Sequence, residues 1–430
     1  MTDTDRNPAR ELDLVVFGAT GFVGRLVADH LAHHAPADLA IGLAGRDRGR
    51  LEAARAKLPR AASEWPLLVA DATDEAAMTD LAARTRVVVT TVGPYARFGT
   101  ALVAACAAAG THYCDLTGEV LFVREVIDAH HETARESGAR IVTSCGFDSV
   151  PSDLGVLLTA EQAAADGQGE LVEATLHVRS ARGGLSGGTI DSMRQQIREM
   201  TADAGRRRVA LDPYALSPDR ELEADRDPGP GRTTAPAPAP ARPIPGLPIT
   251  RGAATGRWSA PFLMGPFNTR IVRRSNALTG WSYGHGLRYS EVHDTGRGAR
   301  GALRAAALAV GLGVVAAGMT LAPTRALLDR LLPAPGEGPT AEEMAVGRFR
   351  MEVDAVTTTG ARYLTTVAAE RDPGYTGTAV MLGESALALA TGGPSLPTGS
   401  GVLTPATALG DVLVERLRAH GFTLEARRVA

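Results

Sequence analysis

The sequence predicts an α/β chain in which a doubly wound parallel sheet is followed by a second α+β domain of mainly antiparallel sheet. Two patterns predict it. Short apolar runs alternate with helix-spaced apolar residues up to about residue 158, and beyond that point the apolar period falls to two.

Leu12 to Phe17 reads Leu-Asp-Leu-Val-Val-Phe, a run suited to a strand covered on both faces. Val23, Leu26, Val27 and Leu31 then repeat at helical spacing. The cycle recurs with a strand at Leu39–Gly45, a helix at Arg48–Leu58 and a strand at Leu67–Ala70. A helix from Glu75, a strand at Val87–Thr91 and a helix over Ala101–Ala109 follow. Short strands are expected near His112–Asp115 and Ile141–Ser144. These elements make residues 10–158 one domain.

Val172, Ala174, Leu176 and Val178 alternate with polar residues, as do Phe349, Met351, Val353 and Ala355. Strands with one wet face are typical of antiparallel sheet, so residues 159–375 form a second domain. Pro228–Pro248 contains eight prolines and reads as an exposed insertion unable to supply ladder hydrogen bonds. Ala305–Thr324 carries no charge over twenty residues, the length of a membrane span, yet seven are alanine and three glycine. Three readings stay open for it: a buried or tunnel-lining helix, a surface-docking helix, and a span. Residues 376–430 are expected to be helices packing back between the domains, the last opening at Thr404-Pro405 and closing at Gly421.

Composition narrows the function. A net charge of −3 gives no general attraction to nucleic acid, so no nucleic-acid partner is expected. Three cysteines without a Cys-x-x-Cys spacing argue against a disulfide framework or a structural zinc, and no metal is expected. The polar start, Met1–Glu11, lacks the apolar stretch of a signal peptide, which fits a cytoplasmic location. Lys57 is the sole lysine, and no tyrosine precedes it by four residues. That removes the Tyr-x-x-x-Lys pair of short-chain dehydrogenases, a Schiff-base lysine and a phosphate-loop lysine.

Between the first strand and first helix stands Gly18-Ala19-Thr20-Gly21-Phe22-Val23-Gly24. Gly18 permits a tight turn, Gly21 lets backbone approach a diphosphate, and Gly24 allows close helix–strand packing. In that context the motif predicts a Rossmann-type nicotinamide-dinucleotide site, with phosphates on the helix N-terminus. The second strand ends Gly45-Arg46-Asp47. Arg46 falls where a 2′-phosphate would sit, so the cofactor is read as NADP(H); Asp47 turned inward would reverse that reading. Asp71 is placed at the adenine edge or in a helix cap, and Gly93 and Pro94 at the nicotinamide ribose.

These motifs resemble the saccharopine dehydrogenase-like oxidoreductases, and most closely the actinobacterial trans-acting enoyl reductases. The resemblance extends through Val92-Gly-Pro-Tyr95, Tyr113-Cys-Asp-Leu-Thr-Gly-Glu119, Gly146-Phe-Asp-Ser-Val-Pro-Ser-Asp153, Ser186-Gly-Gly-Thr-Ile190, Gly374–Leu382 and Gly401–Pro405. It implies an NADPH-linked reductase of an α,β-unsaturated acyl thioester. The thioester would be held on a carrier protein or polyketide synthase in complex-lipid and glycolipid synthesis, with peripheral contact at the inner face of the plasma membrane. A saccharopine-type amino-acid dehydrogenase and a non-catalytic lipid-associated scaffold are the alternatives. Tyr95 and Tyr113 are the catalytic candidates as proton donors, with Gly118 and Gly146 offering amide groups to an enolate oxygen. Asp115, Glu119, Asp148 and Asp153 read either as a polar pocket or as helix caps. Arg206–Arg208 and Arg270, Arg273 and Arg274 read as a solvated face or as a docking patch for an acidic carrier.

Overall fold

The structure is a computed structural model that describes residues 10–183, 187–223, 242–244, 247–252, 255–320 and 338–430. Strands alternate with helices at the start: β1 (Leu12–Phe17), α1 (Phe22–His34), β2 (Ile41–Gly45), α2 (Arg48–Arg55), β3 (Leu67–Val69) and α3 (Glu75–Ala83). Then come β4 (Thr85–Thr90), α4 (Tyr95–Phe98), α5 (Thr100–Ala109), β5 (His112–Cys114), α6 (Val120–Ser137) and β6 (Arg140–Val142). Each predicted strand and helix of this half is present, shifted by a few residues at its ends.

The next elements are α7 (Val150–Ala165), β7 (Leu171–Arg182), α8 (Gly187–Ala202), α9 (Ala204–Leu211), β8 (Arg242–Ile244), β9 (Leu247–Arg251) and β10 (Arg257–Pro261). They are followed by α10 (Gly265–Leu278), β11 (Arg288–Arg297), α11 (Gly298–Thr320), α12 (Ala341–Ala345), β12 (Arg348–Thr357) and β13 (Arg362–Ala369). The chain closes with α13 (Thr378–Thr391), β14 (Gly401–Leu403), α14 (Pro405–Ala419) and β15 (Thr423–Arg428).

The first sheet is parallel, in the order β3-β2-β1-β4-β5-β6-β14. The chain reverses direction across the sheet at β1, and the crevice at the strand ends there is the expected ligand position of such a fold. The second sheet runs β15-β13-β12-β7-β11-β10-β9-β8, antiparallel except where β7 pairs with β11. The two alternating runs seen in the sequence are direct partners: Val178 faces Met351, Leu176 faces Val353 and Ala174 faces Ala355. Their apolar sides therefore share one face, and a single core joins them to β1, β2 and β4 of the first sheet.

Four expectations need correction. The boundary at 158/159 falls inside α7, which is buried over most of its length and ties the two sheets together. The C-terminal segment 376–430 is not purely helical, since β14 completes the parallel sheet and β15 edges the other. Residues 228–241 lie outside the described part, but the end of that proline-rich insertion pairs as β8 and β9. Pro243 is accommodated because β8 is the outermost strand, where a missing N–H is tolerated. Finally, α11 is not a buried or tunnel-lining helix. Ala305 and Ala309 pack onto Ile249 and Ala260, while Leu303, Val310 and Val314 are exposed. Residues 321–324 of the apolar segment lie outside the described part.

Candidate functional site

Gly18 follows β1 with φ +90°, and its N–H donates to Ala44 O at 2.9 Å while its carbonyl accepts from Gly21 N at 2.9 Å. A Cβ on Gly24 would stand 2.1 Å from Gly18 O, so the turn folds back onto the first helical residues and only glycine fits there. Gly21 is the N-cap of α1, and no side chain caps the helix. Its leading N–H groups are left for a ligand, and the turn has the form of a diphosphate cradle. Thr20, Phe22 and Val23 are half-buried around it, with Arg25 donating to Thr20 O at 2.7 Å.

At the end of β2, Asp47 caps α2 by accepting from Arg50 N at 2.9 Å, so its carboxylate is not turned toward a ribose. Arg46 beside it is exposed. These positions fit an adenosine 2′-phosphate better than a bare 2′-hydroxyl. Asp71 accepts from both the amide and the hydroxyl of Thr73 in a local turn, and the helix-cap role expected as its alternative falls to Asp74, which caps α3. The two Thr73 bonds, aided by the charge of Arg46, hold the Asp71 carboxyl below the usual range.

A cavity of about 280 Å³ opens beside the glycine turn. Gly21, Phe22 and Val23 form one wall, Thr91, Gly93 and Tyr95 another, and Leu116 and Gly118 a third. Thr189 and Tyr375, from two of the quoted motifs, close it together with residues the sequence had not singled out: Leu263, Met264 and Phe267 around the start of α10 and Asp191 on α8. Tyr375 meets Phe22 edge-on at 5.0 Å. A smaller cavity of about 130 Å³ adjoins it, adding Phe147, Phe262, Pro373 and Gly146. Val23, Leu116, Asp148, Thr189, Leu263 and Met264 line both. The signal for the α10 contribution was the run Phe262-Leu-Met-Gly-Pro-Phe267, apolar but too short to show a period.

The tyrosine candidates separate. Tyr113 is fully buried, is absent from the cavity lining, and donates to Asp115 Oδ2 at 2.8 Å. Tyr95 reaches the cavity wall, but its hydroxyl donates to Thr90 O at 3.3 Å and burial raises its pKa far out of range. Pro94, expected at the nicotinamide ribose, is outside the lining while Gly93 is in it.

Three of the four clustered carboxylates turn out to hold the scaffold. Glu119 accepts from Tyr95 N and Ala96 N, both at 2.9 Å, and from Ser192 Oγ at 2.6 Å, so it caps α4 from a distant strand end. Asp115 accepts from Thr117 N at 3.0 Å and Ser144 N at 2.9 Å. Asp153 accepts from Ser275 Oγ at 2.5 Å and Ala406 N at 2.8 Å, joining α7, α10 and α14. Asp148 is the exception: no hydrogen bond to its carboxylate is found among the described residues, and burial alone raises its pKa to about 6.

The arginine patch dissolves in the same way. Arg274 is buried and donates to Leu216 O at 2.9 Å and Val402 O at 2.7 Å. Arg270 donates to Asp212 O at 2.8 Å, to Ala210 O at 2.7 Å and to Pro266 O. Arg273 donates to Pro213 O at 3.0 Å and covers the Tyr214 ring. These guanidiniums satisfy loop carbonyls rather than forming a docking face. All three cysteines are free and buried.

Residues 14–142 match the family model of the saccharopine dehydrogenase NADP binding domain. A Mycobacterium tuberculosis protein named as a trans-acting enoyl reductase is 48% identical over 432 residues, covering 98% of this chain and 99% of its own. A trans-acting enoyl reductase of Mycobacterium ulcerans is 46% identical over 433 residues, with the same coverage. Among solved structures, apo saccharopine dehydrogenase (L-Glu forming) from Saccharomyces cerevisiae superposes with a TM-score of 0.52 at 16% identity. It covers 97% of this chain and 99% of its own, a likeness of fold.

Proposed function

The chain belongs to the saccharopine dehydrogenase-like oxidoreductases, in the group of the trans-acting enoyl reductases, and from that premise we propose that this NADP-dependent oxidoreductase reduces the double bond of an α,β-unsaturated acyl thioester. The thioester would be carried by a carrier protein or polyketide synthase in lipid assembly. The observation that carries this is the character of the paired cavities. The apolar part of their shared walls is Val23, Leu116, Leu263 and Met264, extended by Phe147, Phe262 and Phe267. The arginine in their described lining, Arg270, already serves three backbone carbonyls. A dicarboxylate amino acid would need paired cations there, whereas an acyl chain needs apolar walls.

NADPH, when bound, supplies the hydride. The residues of the chain do the rest. The Gly18–Gly24 turn would hold the diphosphate through the amides of a helix start that no side chain caps, and Arg46 would take the 2′-phosphate. Gly93, at the end of β4, leaves room for the ring-bearing ribose, and the Phe22–Tyr375 pair would screen the reacting end from water. Gly118 and Gly146 lie one in each cavity, which supports a role for their amides near the thioester oxygen. The test is steady-state NADPH oxidation with enoyl-pantetheine thioesters of rising chain length, beside saccharopine. Turnover on the thioesters alone is expected; turnover on saccharopine alone would overturn the reading.

The outer face of α11 supports a peripheral membrane contact. Leu303, Ala307, Val310 and Val314 form an exposed stripe, with Arg300 and Arg304 at one end. The stretch Gly298–Val315 is long and apolar enough to cross a bilayer by length and composition, yet its Ala305 side is packed on the second sheet. Co-flotation with anionic but not neutral vesicles, lost in Leu303→Asp/Val314→Asp, is the expected result.

A further inference from the structure

We propose that the carboxyl group of Asp148 is the acid that protonates the α-carbon of the substrate, a role that rests on the enoyl reductase reading above. The lining itself leads to it. Asp148 stands where the two cavities meet, so it faces both the space beside the glycine turn and the apolar extension. The other phenol and carboxyl groups of the late strands are committed elsewhere. Asp115, Glu119 and Asp153 each accept at least two hydrogen bonds from the scaffold, and Tyr113 lies outside the lining. Tyr95 is tied to Thr90, and Tyr375 interacts with the Gly187 amide.

Asp148 is held in place by its backbone. It follows β6 in the turn Gly146–Ser149, where Ser149 N and Val150 N both donate to Gly146 O, and Phe147 N donates to Thr378 Oγ1 at 3.1 Å. Ser149 Oγ is drawn off to Asn268 at 2.9 Å, so the α7 N-terminus does not recruit the Asp148 carboxylate as a cap. An acid left without donors in an apolar surround keeps its proton to higher pH, here to about 6. Roughly a tenth is then protonated at pH 7, within the useful range for a general acid.

A hydride arriving at the β-carbon forms a C–H bond there, and the π electrons move onto the α-carbon and thioester oxygen. The Asp148 O–H bond breaks as the α-carbon C–H bond forms, leaving a carboxylate. Water entering after product release restores the proton. The thioester gains two electrons and NADPH loses two.

The other titratable groups in the cavity lining are Tyr95, Asp191, Arg270 and Tyr375, so Asp191 supplies the discriminating comparison. The full chain is assayed as wild type, Asp148→Asn, Asp148→Glu and Asp191→Asn, with NADPH affinity measured separately by fluorescence titration. Asp148→Asn is expected to lower kcat about 100-fold or more while NADPH affinity stays within about twofold. Wild-type kcat should fall as pH rises through about 6, a limb absent in Asp148→Asn and displaced in Asp148→Glu. Asp148→Asn turnover within about threefold of wild type with the same limb, or the loss appearing in Asp191→Asn instead, would overturn the assignment. A wild type active on thioesters separates that failure from a failure of the enoyl reductase reading, which would show as no thioester turnover by any variant. Should Asp148→Asn not fold, the Asp148→Glu profile and the wild-type solvent isotope effect decide: an unshifted limb and no isotope effect would sink the proposal.

Discussion

Two carboxylates, one half-buried in the wall of the cavity and one fully buried on α13, show opposite outcomes of desolvation. Asp148 has no hydrogen-bond donor among the described residues, and its pKa rises to about 6. Glu384 on α13 is fully buried, and desolvation alone would raise it. There the hydrogen bond from His30 at 2.6 Å and the charges of Arg416, His30 and His420 outweigh burial and hold it below the usual range. Arg416 lies 2.8 Å away and His420 2.9 Å. The lesson is that burial sets the cost of a charge, while partners decide whether the group becomes an acid or a clamp. Glu384 fastens α1 to α13 and α14; Asp148 fastens nothing.

The strongest way to break this comparison is Glu384→Ala, which leaves Arg416 and two imidazoles without their acceptor. A loss of about 3 kcal/mol in denaturant unfolding is expected at neutral pH, whereas Asp148→Asn should cause no loss there, because it removes a charge that desolvation disfavours. Equal losses would mean that the cavity carboxyl is also structural.

Arg46 supplies an exposed charge to set beside these two carboxylates. Arg46→Glu should weaken NADPH by at least tenfold, about 1.5–3 kcal/mol for a lost charge-assisted bond, and NADH far less. Titration with both coenzymes checks it, and an equal loss would remove the 2′-phosphate role.

The pH dependence of stability should separate the pair by sign. Glu384 is depressed when folded, so its contribution is present above its unfolded pKa and fades as pH falls through the folded value; the gap between wild type and Glu384→Gln should close in acid. Asp148 is raised when folded, so wild type loses stability as pH climbs from about 4 through about 6, and Asp148→Asn should lack that slope. The smallest effect is expected for Arg416→Met. Its side chain is 27% exposed and can return to water, so the loss should be about 1 kcal/mol, read from the same unfolding curves.

What the sequence determined was what local pattern can determine. The alternation of strands and helices up to α7, the glycine turn with its helix N-terminus, and the period-two strands β7 and β12 each follow from side-chain spacing within one segment. Gly24 was legible for the same reason, because the turn and helix that it must fit are its immediate neighbours. Only the tertiary structure could decide which strand completes the parallel sheet, since β14 is three residues long and pairs with β6 more than 250 positions earlier. The same holds for the four acidic residues near the late strand ends. Asp115, Glu119, Asp148 and Asp153 look alike in the chain, and what distinguishes them is whether a donor arrives from a segment such as α8, α10 or α14. Hydrogen bonding and desolvation are properties of the surroundings, and those surroundings are assembled from residues far apart in sequence.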